Sequence, residues 1–237
     1  MEETLWNGIT MYADADGFRL GTDSLLLAQF ISVPPKAALA DLGAGCGTLG
    51  LLLCAEHPDC RVTGIELDER AHTMAQENIR RNGLAGRMSA VQGDVRDIRT
   101  LLAANSFDCV ISNPPYFPRN SGKVSLRNAM ARSEETLPLE ALCAAAAYLL
   151  PTGGRFALVH RPERLCDIFC ALRENGLEPK RICFVRHTQE APACLVLIEA
   201  RRGGKPGLRY LPDLIEYTPD GAETERYRAA CHRGASL

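Results

Sequence analysis

Two short segments of this chain combine residue types that could do chemistry. The first reads Asp41-Leu42-Gly43-Ala44-Gly45-Cys46-Gly47-Thr48-Leu49-Gly50. Residues without a Cβ let the backbone turn sharply and lie close to a ligand, and at the carboxyl edge of a parallel sheet such a turn is a cofactor site. Two spacings match it. Gly45, Gly47 and Gly50 satisfy G-x-G-x-x-G, a pattern of dinucleotide sites, while acid-x-Gly-x-Gly-x-Gly matches Asp41, Gly43, Gly45 and Gly47. Asp41 bears on the choice, because an acid ahead of the glycines repels a pyrophosphate and suits an ammonium. Glu66, 21 residues after Gly45, can accept both hydroxyls of a ribose in either cofactor. The second segment is Asn113-Pro114-Pro115-Tyr116. The Asn113 side-chain oxygen and the Pro114 carbonyl are two acceptors that a proline pair holds rigid, a geometry suited to gripping both N–H bonds of one amine. Tyr116 and Phe117 offer flat faces on which a base could stack. A pair of prolines can also do no more than end a strand.

These residues need a sheet to bring them together, and the hydrophobic pattern supplies one. From residue 37 onward, short apolar runs alternate with stretches of helical period, which predicts an α/β sheet. Strands are expected at 37–42, 61–67, 88–93 and 107–112, with helices after the glycine turn to about His57 and over Glu69–Asn82. An irregular stretch runs from Asn113 to about Thr136, followed by an Ala-rich helix over Leu139–Leu150, a strand over Arg155–His160 and a helix over Pro162–Asn175. Two closing runs, 181–186 and 193–200, have no helix-length segment between them and read as an antiparallel pair. The expected sheet therefore has seven strands, mostly parallel, over residues 37–200. Residues 1–36 read as an appendage packing on the cofactor site, with a helix over Ser24–Phe30 capped by Asp23. Residues 201–237 form a basic C-terminal extension.

Composition narrows the class. With 46% hydrophobic and 24% charged residues in 237, the chain can bury a large core and is neither disordered nor collagen-like. Its longest uncharged apolar run, 141–150, is about half a membrane span. An acidic start, Met1-Glu2-Glu3, differs from a basic targeting segment, so a cytoplasmic protein is expected. The ten cysteines contain no Cys-x-x-Cys pair and sit mostly in apolar runs, which predicts buried thiols, no disulfides and no metal site.

The glycine segment resembles motif I of the S-adenosylmethionine-dependent methyltransferases, and Asn113-Pro114-Pro115-Tyr116 resembles motif IV of those that methylate amino groups of adenine, cytosine or a protein glutamine. The run 17–28, Gly-Phe-Arg-Leu-Gly-Thr-Asp-Ser-Leu-Leu-Leu-Ala, and the ending 193–200 resemble the bacterial tRNA1(Val) (adenine-37-N6)-methyltransferases. That resemblance implies a Rossmann-like class I methyltransferase fold, S-adenosylmethionine as cofactor, and a tRNA anticodon loop as partner. It implies that Asp94 holds the adenine amino group of the cofactor and that Thr22 lies near its methionine end, beside Asp41, Gly43, Gly45, Gly47, Glu66 and Asn113. It also assigns the reaction to Asn113, Pro114 and Tyr116. A protein glutamine or another nucleic-acid amine remains the alternative substrate. A nicotinamide-dependent oxidoreductase, the reading from a different class, leaves the second segment without a use.

The net charge of −2 speaks against a nucleic-acid partner until its distribution is considered. Residues 112–133 hold Arg119, Lys123, Arg127 and Arg132 and no acid, and residues 200–212 hold Arg201, Arg202, Lys205 and Arg209 and no acid. These two segments carry +8, so the rest carries −10. A phosphate backbone needs such a local concentration of cations, and Pro115, Phe117, Arg119, Lys123 and Arg127 are the expected substrate contacts.

Overall fold

The computed structural model describes residues 2–12, 21–114 and 137–232. Strands β1 (Glu2–Thr4) and β2 (Thr10–Tyr12) pair antiparallel in a small sheet of their own. Helix α1 (Thr22–Phe30) follows, and every residue from Ser24 to Phe30 is buried, the polar Ser24 and Gln29 with the apolar run between them. It begins before Asp23, contrary to the cap expected there. Gly21 takes the extended cap conformation, and Asp23 sits in the first turn, where its carboxylate accepts from the Ser24 amide at 2.9 Å and suits the positive end of the helix.

Next come β3 (Ala38–Leu42), α2 (Thr48–Glu56), β4 (Arg61–Glu66), α3 (Glu69–Arg81) and β5 (Met88–Gln92). Asp68 caps α3 by accepting from the Ala71 amide at 2.8 Å. A short helix α4 (Ile98–Leu101) leads to β6 (Cys109–Ser112), and α5 (Leu139–Leu149) leads to β7 (Arg155–His160). Helix α6 (Leu165–Glu174) precedes the long hairpin of β8 (Leu177–Arg186) and β9 (Ala193–Arg202). The chain then adds β10 (Arg209–Tyr210), β11 (Leu214–Ile215) and α7 (Glu225–His232).

Strands β5-β4-β3-β6-β7 are parallel neighbours, and β9 and β8 continue the sheet antiparallel. Among the described residues the sheet has nine strands where seven were expected. The two extra are two-residue pieces from beyond residue 200, both laid parallel along β8. Without them β8 would leave a row of unpaired amides and carbonyls, and Pro212 between them interrupts the cover because it has no N–H to donate.

Alternation along the strands feeds two cores. Leu39, Cys109, Ile111, Ala157 and Val159 face a layer holding α1, α2, α7 and Ile79 of α3. Ala40, Leu42, Val110, Phe156 and Leu158 face α5 and α6. All ten cysteines are free; seven are buried, as their apolar settings predict, and Cys166 and Cys170 are exposed.

The chain's two ends close over the first of these layers. Trp6 Nε1 donates to the Cys231 carbonyl at 2.9 Å, 225 residues away. The buried Asn78 of α3 binds both the amide and the carbonyl of Tyr12, at 2.8 and 3.0 Å, and also donates to the Cys46 carbonyl at 2.9 Å. One side chain thus ties β2 to the glycine turn.

Candidate active site

The turn after β3 passes Gly43, Gly45 and Gly47 at φ +78°, +56° and +89°, a region that favours glycine. The Gly43 and Ala44 amides donate to the Ile65 carbonyl at 2.9 and 3.0 Å, so the turn leans on the end of β4. Glu66 takes the Gly45 amide on one oxygen at 2.7 Å and the Asp68 amide on the other at 2.8 Å. Each carboxylate oxygen keeps acceptor capacity for a hydroxyl.

Asp41 is only 1% exposed, and neither of its carboxylate oxygens has a hydrogen-bond partner among the described residues. Burial, and then the nearby Glu66 charge, lift its carboxyl from 3.8 to about 8. A buried carboxylate with both oxygens unsatisfied is costly in isolation, and an ammonium beside it removes the cost. Open space adjoins the turn: a Cβ built on Gly45 meets nothing within 4 Å. Gly50 differs, since its Cβ would stand 2.4 Å from Met88 Cε. That position packs α2 onto the sheet, so it is not a contact of the turn. The donor set therefore suits the amino acid and ribose of S-adenosylmethionine.

Gly45→Ala should cost about 1–2 kcal/mol of folding stability for its left-handed backbone. It should also weaken S-adenosylmethionine binding by at least about ten-fold, equivalent to ~1.4 kcal/mol, by filling that space. Thermal melts and calorimetric titration separate the two effects, and unchanged affinity would place the cofactor elsewhere.

Asp94 follows β5 and is held by its neighbour: it accepts from the Arg96 amide at 2.8 Å and from Arg96 Nε at 2.9 and 2.8 Å. These bonds hold its carboxyl below the usual range. Asn113 follows β6, next to Asp41's strand in the sheet, and the Ser112 hydroxyl donates to the Leu42 carbonyl at 2.7 Å, joining the two strand ends. The Asn113 amide nitrogen donates to the Ser24 hydroxyl of α1 at 3.0 Å. Pro114 is buried, and Thr22 is exposed at the start of α1. Thus the structure gathers Asp41, the three glycines, Glu66, Asp94 and Asn113 at the carboxyl ends of β3, β4, β5 and β6 and just beyond them. Pro115, Tyr116, Phe117, Arg119, Lys123 and Arg127 lie outside the described residues.

Sequence reasoning missed Ser24 and Asn78. Each had a signal, a polar residue opening an apolar helix in one case and an Asn inside a helix in the other. It also missed a meeting of His187, Cys194 and Glu216, whose donor atoms lie within 4.8 Å of one another. There His187 hydrogen-bonds Glu216, and the Cys194 thiol, pushed up by burial, donates to the Val185 carbonyl at 3.3 Å. Among the described residues no helix is long and apolar enough to cross a membrane.

A mostly parallel sheet with a glycine turn after its central strand, an acid at each of the next two strand ends and Asn113-Pro114 beyond the fourth defines a class I S-adenosylmethionine-dependent methyltransferase. The chain belongs to the methyltransferase small domain family, whose model matches residues 12–167. A tRNA1(Val) (adenine(37)-N6)-methyltransferase of Porphyromonas gingivalis is 36% identical over 174 residues, which are 71% of this chain and 68% of that protein. Among solved structures, a predicted O-methyltransferase of Agrobacterium tumefaciens matches with a TM-score of 0.76 at 22% identity, over 91% of this chain and 98% of that one. A geranyl diphosphate methyltransferase in complex with SAM matches at 0.55 and 16% identity, over 76% and 84%. The resemblance read from residues 17–28 and 193–200 is borne out, and the oxidoreductase reading falls.

Proposed function

We propose that this chain methylates N6 of adenine 37 in tRNA1(Val). The observation that carries this reading is its likeness to curated enzymes of that name over 71% of its length. The placement of Asn113-Pro114 beside the cofactor turn supports it. S-adenosylmethionine supplies an electrophilic methyl on a sulfonium. Asp41 holds the ammonium of the cofactor, Glu66 its ribose and Asp94 its adenine amino group. The backbone at Gly43, Gly45 and Gly47 makes the close approach, and Thr22 lies toward the methionine end. Tyr116 and Phe117 stack the flipped base, with Pro115 stiffening the loop between them and Pro114.

An adenine amino group is a weak nucleophile because its lone pair is delocalised into the ring. When Asn113 Oδ1 and the Pro114 carbonyl each accept one of its N–H bonds, the nitrogen is drawn toward tetrahedral geometry and its lone pair becomes available. The N–C bond forms as the C–S bond breaks. The nitrogen carries positive charge against two acceptors, and its surplus proton then leaves to water, so no strong base is required. Arg96 occupies both oxygens of Asp94 through its amide, Nε and Nη2, so the adenine amino group of the cofactor must displace part of that pairing.

Incubation with labelled S-adenosylmethionine, total tRNA, rRNA and protein tests the reading. Label is expected in tRNA alone, as N6-methyladenosine, and a tRNA1(Val) transcript with guanine at position 37 should take none. Label on a protein glutamine would overturn it. Replacing Arg119, Lys123 and Arg127 together by Ala should weaken tRNA binding and reduce the slope of log affinity against log salt by about 2, since each phosphate contact contributes about 0.7–0.9. An unchanged slope would show that the phosphates dock elsewhere.

A further inference from the structure

Ser24 is 1% exposed, and its hydroxyl accepts from Asn113 Nδ2 at 3.0 Å, 89 positions along the chain. It stands on a rigid mount. Its own amide donates to the Asp23 carboxylate at 2.9 Å and to the Gly21 carbonyl at 3.2 Å, and α1 packs against α2, α7, β7 and β9. At the far end of α1, Arg181 donates to the Phe30 carbonyl at 3.2 Å and its guanidinium lies 4.7 Å from the Phe30 ring centre.

A primary amide has an acceptor end and a donor end of nearly the same shape, so an unheld Asn can present either. Only one orientation serves the reaction. With Oδ1 toward the substrate an amine N–H is accepted, whereas with Nδ2 there two donors face each other. A hydroxyl can accept or donate, so the bond to Ser24 fixes where the amide lies, and the acceptance from Nδ2 seen here corresponds to the first orientation.

We propose that Ser24 is a positioning residue for methyl transfer, its hydroxyl holding the Asn113 amide nitrogen so that Oδ1 faces the substrate amine. This rests on the reading of Asn113 as an acceptor. It makes α1, which precedes the first strand of the large sheet, part of the reaction machinery.

The test compares four full-length proteins: wild type, Ser24→Ala, Asn113→Asp and the double variant. Single-turnover methyl transfer is measured at saturating S-adenosylmethionine and tRNA1(Val), alongside the affinity for each ligand. Ser24→Ala should slow the transfer by about ten-fold, the worth of one hydrogen bond, and leave both affinities within about two-fold. Asn113→Asp gives a carboxylate with two equivalent acceptor oxygens and nothing to orient, so adding Ser24→Ala to it should change the rate by less than about two-fold. Equal losses in both backgrounds, or no loss in the wild-type background, would overturn the proposal. A separate Asn113→Ala protein that keeps the wild-type rate would overturn the acceptor reading itself, whatever Ser24 does.

Discussion

Asn113→Ala should lower methyl transfer by about 10²–10³-fold, the effect of removing one preorganised acceptor from a developing charge. The affinity for S-adenosylmethionine should stay within about two-fold. The two responses separate because of where the side chain sits. Asn113 leaves the end of β6, its amide nitrogen turned to Ser24, while the glycine turn is held by contacts in which Asn113 has no share: Ile65, Glu66 and Asn78. Truncation removes an acceptor and leaves the turn standing. Single-turnover rates with tRNA1(Val), together with calorimetric titration of the cofactor, measure both numbers. A variant that keeps most of its turnover would show that amine activation happens elsewhere, and one that loses cofactor binding would make Asn113 a cofactor residue first.

The second large effect is expected at Asp41. Burial chiefly lifts its carboxyl to about 8 in the folded protein from its ordinary value of 3.8. Between those values the folded chain holds a proton that the unfolded chain has lost. Asp41's contribution to the stability of the ligand-free protein should therefore be undiminished below about 3.8, fall as pH rises, and be fully lost above about 8. The steepest contribution is about 1.4 kcal/mol per pH unit. Asp41→Asn keeps the shape and cannot titrate, so its stability relative to wild type should improve steadily from pH 5 to pH 8 in denaturant titrations. Parallel curves would refute the shift.

Cofactor binding adds a sharper readout. An ammonium seated beside Asp41 favours the carboxylate, so binding at pH 7 should release a proton, visible as a buffer-dependent heat. 5′-Methylthioadenosine, which lacks the ammonium, should release none. Asp41→Asn should abolish the release and weaken S-adenosylmethionine binding by about 10²-fold or more, since it leaves the ammonium without its counter-charge. Proton release that persists in the variant would assign the titration to another group.

Much of the frame was legible because it depends on local periodicity. Arg155–His160 coincides with β7, and the helix expected over Glu69–Asn82 ends within one residue of α3. The class and the cofactor likewise followed from short local strings at Asp41–Gly47 and Asn113–Tyr116, and the family from the strings at 17–28 and 193–200. What stayed hidden depends on pairing at long range. Strands of two and three residues, such as β10, β11, β1 and β2, have no periodic signature and exist because a neighbouring edge is there to receive them. Ser24 and Asn78 escaped for the same reason: a single polar side chain gains meaning only from the backbone or amide it meets, 89 residues away for Ser24 and 66 for Asn78. Asp41 was read for its charge, although the folded protein holds it as a buried acid that keeps its proton to about pH 8.

The bond between Trp6 and the Cys231 carbonyl sets an order on assembly. The segment tied to the glycine turn through Asn78 is made before every strand of the large sheet, yet its anchor in α7 is made after them. A contact spanning 225 positions carries a large closure cost and forms late. A nascent chain can build its parallel strands early, but it closes this bond only once synthesis has reached α7. The brace over the turn is in this sense completed after the sheet it serves.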